Sequence, residues 1–107
     1  MTFNPPTPFP GPVRPADEVG FDRRELSAIL RVYGRMVAAG EWRDYALSCR
    51  RDCAVFAVFR RTAEQPLYRI EKHPRLRGRQ GIYAVIGPDG RVLRRGHDLA
   101  QVLRVVE

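Results

Sequence analysis

The chain has 107 residues, of which 44% are hydrophobic, so it has room for one domain with a modest core and wholesale disorder is not expected. Its longest apolar run, Cys53 to Phe59, is far shorter than the roughly 20 residues that span a bilayer, which predicts no membrane insertion. The formal net charge is +7. This basic balance favours association with nucleic acid, ribosomes or another anionic surface.

The first twelve residues carry neither a basic region nor an apolar run of the kind that marks export, so we expect a cytoplasmic protein. The two cysteines, Cys49 and Cys53, are too few for a disulfide framework. A bond between them across a short turn is geometrically possible, but a reducing cytoplasm opposes it.

Residues 1–20 contain six of the nine prolines. Proline lacks a backbone donor and resists helix formation, so we predict an extended or disordered tail over 1–20. A single folded domain is predicted over residues 21–107.

A helix is predicted from Asp22, which is a good N-cap and forms a capping box with Glu25. Phe21 and Leu26 fall at the positions of a hydrophobic staple, and Gly40 ends the helix. Its apolar stripe consists of Leu26, Ile29, Leu30, Tyr33, Met36 and Val37.

After Gly40 the hydrophobic period changes to two, which predicts strands. We place them at Trp42–Cys49, Cys53–Arg60, Pro66–His73, Gly81–Gly87 and Arg91–Arg95. The second strand is apolar on both faces, so we expect it to be central and covered on each side. A hairpin turn is predicted at residues 88–90, and the short connections indicate antiparallel pairing.

The chain ends in a predicted short helix that Asp98 caps, with Gln101 at the third position. Leu99, Val102, Leu103 and Val106 form its apolar side. The predicted fold is therefore α+β: an N-terminal helix, a four- or five-stranded antiparallel meander and a short C-terminal helix.

A meander places alternate turns at opposite ends of its sheet. The first turn, the third connection and the exit of the last strand should therefore share one end, where we predict an arginine rim that could contact phosphates. The arginine rim comprises Arg50, Arg51, Arg75, Arg77, Arg79, Arg94 and Arg95. With Asp52 and Asp98 counted against these seven arginines, the net charge of this end is +5. The far end of the sheet, which comprises residues 60–65 and 88–91, has a net charge of +1. The alternative is that these arginines only keep solvated loops soluble.

Glycines and aromatic residues bear on this hypothesis. Gly78 and Gly81 would let the backbone approach a ligand closely. Tyr68 and Tyr83 are candidates for base stacking, although packing is the commoner role of strand tyrosines. Trp42 and Tyr45 are expected to close the core.

Catalytic and metal sites are not predicted. Cys49, Cys53, His73 and His97 fall near the arginine rim, but strands ~4.8 Å apart hold the outermost of them too far from one another for zinc. No nucleotide-binding or hydrolase motif occurs, and His97-Asp98 is more simply explained by the helix cap. A deep pocket lined by Glu41, Asp44 or His97 would favour an enzyme. No cofactor is expected.

Three segments resemble a known family: Val32 to Leu47 (VYGRMVAAGEWRDYAL), Ala54 to Lys72 (AVFAVFRRTAEQPLYRIEK) and Arg94 to Val106 (RRGHDLAQVLRVV). The family is a group of small alphaproteobacterial proteins catalogued as domain of unknown function 2794. The resemblance runs from Phe21 to the C-terminus. It implies a bacterial cytoplasmic protein with no assigned activity, so no site residue is carried over.

Two functional hypotheses remain. In the first, the chain is a non-enzymatic accessory domain associated with nucleic acid or the ribosome through the arginine rim. In the second, it is a protein–protein adaptor or regulatory subunit that docks through the first helix or the proline-rich tail.

Overall fold

The computed structural model describes residues 18–61 and 65–107. Its elements are α1 (Arg23–Ala38), β1 (Asp44–Cys49), β2 (Ala54–Phe59), β3 (Tyr68–Lys72), β4 (Tyr83–Ile86), β5 (Val92–Gly96) and α2 (Leu99–Leu103). A 3₁₀ helix, Pro74–Leu76, follows β3, and another, Arg104–Val106, follows α2. The predicted α+β class and the order of elements are confirmed. Most of the tail predicted for residues 1–20 lies outside the described residues.

The start of α1 follows the local sequence signals. The Asp22 side chain accepts a hydrogen bond from Glu25 N at 2.8 Å, and Glu25 Oε1 accepts one from Asp22 N at 2.7 Å. This reciprocal pair satisfies backbone donors that the first helical turn leaves without partners. At the other end Gly40 follows the C-cap with a φ of 79°. The predicted capping box and the predicted glycine terminator are both confirmed.

The five strands form one antiparallel sheet in the order β1-β2-β3-β4-β5. Because a meander adds each strand beside the previous one, β2 lies between β1 and β3. The prediction that β2 is an interior strand is confirmed, although the middle strand of the five is β3. Gly90 N donates to Gly87 O at 3.0 Å, which closes the predicted turn between β4 and β5. The first four strands are shorter than predicted because their ends belong to the turns, and β5 has the predicted length but begins one residue later.

Both helices pack on one face of the sheet. The core joins Ile29 and Val32 of α1 to alternate strand residues such as Phe56, Ile70 and Val85. All four apolar residues predicted for the C-terminal helix, Leu99, Val102, Leu103 and Val106, are buried. The Asp98 side chain accepts hydrogen bonds from the first turn of α2, as predicted.

The opposite face of the sheet carries no helix among the described residues, and we call it the helix-free face. Val55, Ala57, Ala84 and Ile86 are buried there, although they lie outside the helix-packed core. The expectation that a structural element covers β2 on each side is therefore not met within residues 18–61 and 65–107. Long polar side chains explain this burial, because each of these four residues lies opposite Arg69 or Glu71 in the strand register.

Candidate functional site

The arginine rim is built from three segments that the meander brings to one end of the sheet. The β1–β2 turn contacts the β3–β4 connection through an ion pair between Arg75 and Asp52, with 3.5 Å between Nη1 and Oδ1. The β3–β4 connection contacts the exit of β5 where Gly81 meets the backbone of Gly96. The three segments are therefore physically adjacent, and not only at the same end by topology.

Gly81 has a different role from the one expected. It is buried with a φ of 102°, and a Cβ atom added to it would lie 2.4 Å from the Gly96 carbonyl carbon. Its missing side chain thus allows the connection to pack on β5, and no ligand can reach it from that side. Gly78 is exposed, and a Cβ atom added there would meet nothing within 4 Å. Of the two glycines, Gly78 is therefore the one at which the backbone is open to a ligand.

Four arginines of the rim are exposed and form no ion pair with any carboxylate of the described chain: Arg50, Arg77, Arg79 and Arg94. Arg51 is also exposed. Arg75 shares its charge with Asp52, but both side chains of that pair are largely exposed. The guanidinium groups of Arg50, Arg77, Arg79 and Arg94 therefore keep hydrogen-bond donors available to phosphate oxygens.

Arg94 and Arg95 differ in orientation, because consecutive strand residues point to opposite faces. Arg94 is opposite Val85, a member of the helix-packed core, and is exposed. Arg95 is opposite Ala84 on the helix-free face, where it is half-buried and its Nη1 atom has no hydrogen-bond partner within residues 18–61 and 65–107. A ligand on the helix side of the rim therefore meets Arg94 and not Arg95.

The structure adds two arginines that sequence reasoning did not assign to this end. Arg23 and Arg24 are exposed in the first turn of α1. Arg24 lines a cleft of about 480 Å³ with Tyr83, His97 and Asp98. The capping box located the start of the helix in the sequence, but no local pattern indicates over which end of the sheet that start lies.

The far end also holds arginines. Arg43, Arg60 and Arg61 line a cleft of about 390 Å³ beside Trp42. Arg43 was not part of the predicted charge at that end, and Glu41 lies 3.8 Å from Arg60 there. This second group gives a natural comparison for any test of the arginine rim.

A buried polar cluster attaches the start of α1 to the rim end of the sheet. Lys72, the sole lysine of the chain, donates from Nζ to Glu25 Oε1 at 2.7 Å and to Gly20 O at 3.0 Å. The Tyr83 hydroxyl donates to Glu25 Oε2. The Glu25 and Lys72 side chains are 9% and 15% exposed, so the charges are paired where water is scarce.

The pKa of Tyr83 is changed by this environment. Burial and the hydrogen bond to the Glu25 carboxylate raise the pKa of the Tyr83 phenol above its ordinary value. The hydroxyl is thus held protonated as a donor. Neither Tyr83 nor Tyr68, which packs against Trp42, presents a free ring for base stacking.

The two aromatic residues after α1 behave differently from each other. Trp42 is buried, as predicted. Tyr45 is 43% exposed, so the prediction that it closes the core is wrong. Its ring stacks on Phe56 and meets the edge of Tyr33, but β1 is the edge strand and leaves the other side of the ring in solvent.

Glu71 anchors a second polar group on the helix-free face. Arg69 Nε donates to Glu71 Oε2 at 3.0 Å, and His73 Nε2 lies 2.8 Å from Glu71 Oε1. Burial alone would raise the pKa of the Glu71 carboxyl, but the bonds with His73 and Arg69 outweigh it and lower this pKa below its ordinary value.

We therefore expect Glu71 to stabilise the fold most at neutral pH. A lowered folded-state pKa gives stability that is present above the ordinary carboxyl pKa and is lost as the pH falls through the folded value. Glu71→Gln should cost on the order of 1 kcal/mol at pH 7 and much less at strongly acid pH. Urea unfolding of both proteins across this range measures it, and a cost independent of pH would contradict the assignment.

The cleft beside α1 does not assemble a catalytic pair. Of its acidic groups, Glu25 is engaged by Lys72 and Tyr83, and Asp98 accepts from Ala100 N and Gln101 N. Glu41 and Asp44 lie at the far end, away from His97. Cys49 and Cys53 are free thiols. Within the described residues no group of three His, Cys, Asp or Glu side chains is placed to hold a metal ion.

These features define a small α+β domain with two helices on one face of a five-stranded meander and a basic rim at one end of the sheet. The chain belongs to the family described as "Protein of unknown function (DUF2794)", whose sequence profile matches residues 19–103. No curated protein and no solved structure shows a significant match. The resemblance found in the sequence is confirmed, while the alphaproteobacterial and cytoplasmic setting stays a prediction.

In the part of the chain that the structure describes, no helix combines the length and the apolar character that crossing a bilayer requires.

Proposed function

We propose that this chain is a non-enzymatic accessory domain that binds the phosphate backbone of nucleic acid, free or within the ribosome, through the arginine rim. The observation that carries the proposal is the state of Arg50, Arg77, Arg79 and Arg94. These exposed side chains come from three separate segments, and none pairs with a carboxylate of the described chain.

The chemistry of the arginine rim supports phosphate contact without base recognition. A guanidinium group donates two parallel hydrogen bonds to a phosphate, and several such groups along one edge match the spacing of a backbone without reading sequence. Tyr68 and Tyr83 are occupied in packing and in the polar cluster, so stacking contributes little. Binding is therefore expected to be electrostatic and to weaken steeply with salt.

Arg23 and Arg24 strengthen the positive field at the same end. Cationic residues in the first turn of a helix oppose its dipole, so they do not stabilise α1. Their presence beside the rim is easier to explain by a ligand of negative charge than by helix stability.

The test removes three charges from one connection. The variant Arg75→Ala, Arg77→Ala, Arg79→Ala should bind a fluorescent single-stranded RNA more weakly than the wild type in anisotropy titrations. For single strands each phosphate contact contributes about −0.7 to the slope of log K against log salt, so the slope should become shallower by about 2.

A matched control removes three charges at the far end with Arg43→Ala, Arg60→Ala and Arg91→Ala. This variant has the same net charge and should keep the wild-type slope. Equal loss in both variants would mean that only total charge matters, and that result would reject the arginine rim as the binding surface.

Docking of a protein through α1 or the proline-rich segment is the alternative. A partner retained from native lysate despite nuclease and high salt, and equally by the rim variant, would favour it over nucleic acid.

A further inference from the structure

The two edges of the sheet are protected to different degrees. At one edge, β5 carries Arg94 and Arg95 and pairs with β4 through an irregularity at Val85/Ile86, and both features hinder the addition of another strand. At the other edge, β1 has the sequence DYALSC, with no proline and a single charge at its first residue. Exposed edges of this kind are templates for strand addition.

The β1 edge is bordered by exposed apolar side chains. Tyr45 and Leu47 are about half exposed on the helix-packed face. Beside them Leu30 and Val37 are exposed on α1, three residues before and four after Tyr33, so all three share one flank of the helix. The Tyr33 ring contacts that of Tyr45, which places this flank next to the strand.

Backbone groups of β1 set which pairings are possible. Arg50 N donates to Cys53 O at 2.9 Å. Bonded and non-bonded pairs alternate in an antiparallel ladder, so Ser48 and Ala46 also bond towards β2. The N–H and C=O groups of Tyr45, Leu47 and Cys49 therefore point away from β2, towards the outer edge of the sheet. In the single chain the Tyr45 N–H donates to Asp44 Oδ1 at 2.8 Å, so pairing with another strand must replace that bond.

We propose that two copies of this chain associate about a two-fold axis through antiparallel pairing of β1 with β1, Leu47 opposite Leu47. This register joins outward-pointing residues and builds a continuous ten-stranded sheet. It places Asp44 of each copy opposite Arg50 of the other, so two ion pairs form by symmetry.

Shifting the β1–β1 pairing by one or two residues gives less favourable contacts. A one-residue slip pairs outward-pointing groups with inward-pointing ones and loses the ladder. A two-residue shift in one direction places Asp44 opposite Ser48, and in the other direction it places Asp44 opposite Asp52. Charge complementarity thus selects the Leu47-centred register and a second copy as the occupant.

Sedimentation equilibrium of the full chain at micromolar concentrations tests the proposal. The wild type should have twice the chain mass. Leu47→Arg places two cations face to face at the axis and should give a monomer, whereas Val92→Arg, an equally exposed position on β5, should leave the dimer intact. Circular dichroism melts confirm that both variants are folded.

Charge exchange tests the register itself. Asp44→Lys and Arg50→Asp should each weaken dimerisation at least tenfold, because each puts like charges opposite one another. The double variant should restore it. A monomeric wild type, a dimer insensitive to Leu47→Arg, or no rescue by the double variant would overturn the proposal. Arg50 also belongs to the arginine rim, but mass is measured without nucleic acid, so these results do not depend on binding by the rim.

Discussion

Lys72→Met is expected to lower the free energy of unfolding by about 3 kcal/mol. Removing the ammonium group leaves the Glu25 carboxylate buried with an unmatched charge, and breaking a buried ion pair at one partner typically costs about 3–5 kcal/mol. The lower value applies because Asp22 N and the Tyr83 hydroxyl still donate to Glu25. Urea denaturation at pH 7 measures the change.

The control for Lys72 is an ion pair of similar length at the surface. Arg35 lies 2.9 Å from Glu107, but their side chains are 55% and 39% exposed. Arg35→Met should therefore cost less than about 1 kcal/mol. If the two substitutions cost the same, the Glu25–Lys72 cluster does not hold α1 to the sheet as described.

Gly81→Ala is expected to be at least as damaging, with a loss of about 3 kcal/mol or more. Its φ of 102° lies in a region that side chains rarely adopt, and the added Cβ would lie 2.4–2.7 Å from backbone atoms of Gly96. Backbone atoms cannot rotate away as a side chain can, so the β3–β4 connection must shift from β5.

Gly78 provides the matched control in the same connection. An added Cβ there meets nothing within 4 Å, so Gly78→Ala should change the free energy of unfolding by less than about 1 kcal/mol. Thermal melts of both variants suffice. Equal melting temperatures for the two variants would contradict the close packing of the connection on β5.

The contacts of Glu25 show which part of this cluster can be predicted from the sequence and which part cannot. Asp22 and Glu25 are three residues apart, so their capping box is a local pattern and was predicted. The further bonds of Glu25 go to Lys72 and Tyr83, 47 and 58 residues away. No local periodicity encodes such contacts, because they depend on where α1 lies over the sheet. The sequence offered only a glutamate one helical turn before Ile29 and a single lysine as signals of these contacts.

The arginine rim likewise has features that the sequence predicts and features that it does not. Strand order followed from short connections, which correctly placed the three segments at one end. Whether Gly81 faced a ligand or a neighbouring strand depended on the positive φ and on the position of Gly96, which sequence does not specify. Likewise the sequence predicted that Tyr45 closes the core, but it could not show that α1 leaves this edge strand partly open.

The most direct test of phosphate binding at the arginine rim is a titration of ¹⁵N-labelled protein with a short single-stranded RNA. Chemical-shift changes are expected together in residues 50–52, 75–80 and 94–97, and they should vanish at high salt. Residues 41–43, 60–61 and 88–91 at the far end should stay unchanged. Changes confined to the far end, or to only one of the three segments, would contradict the account.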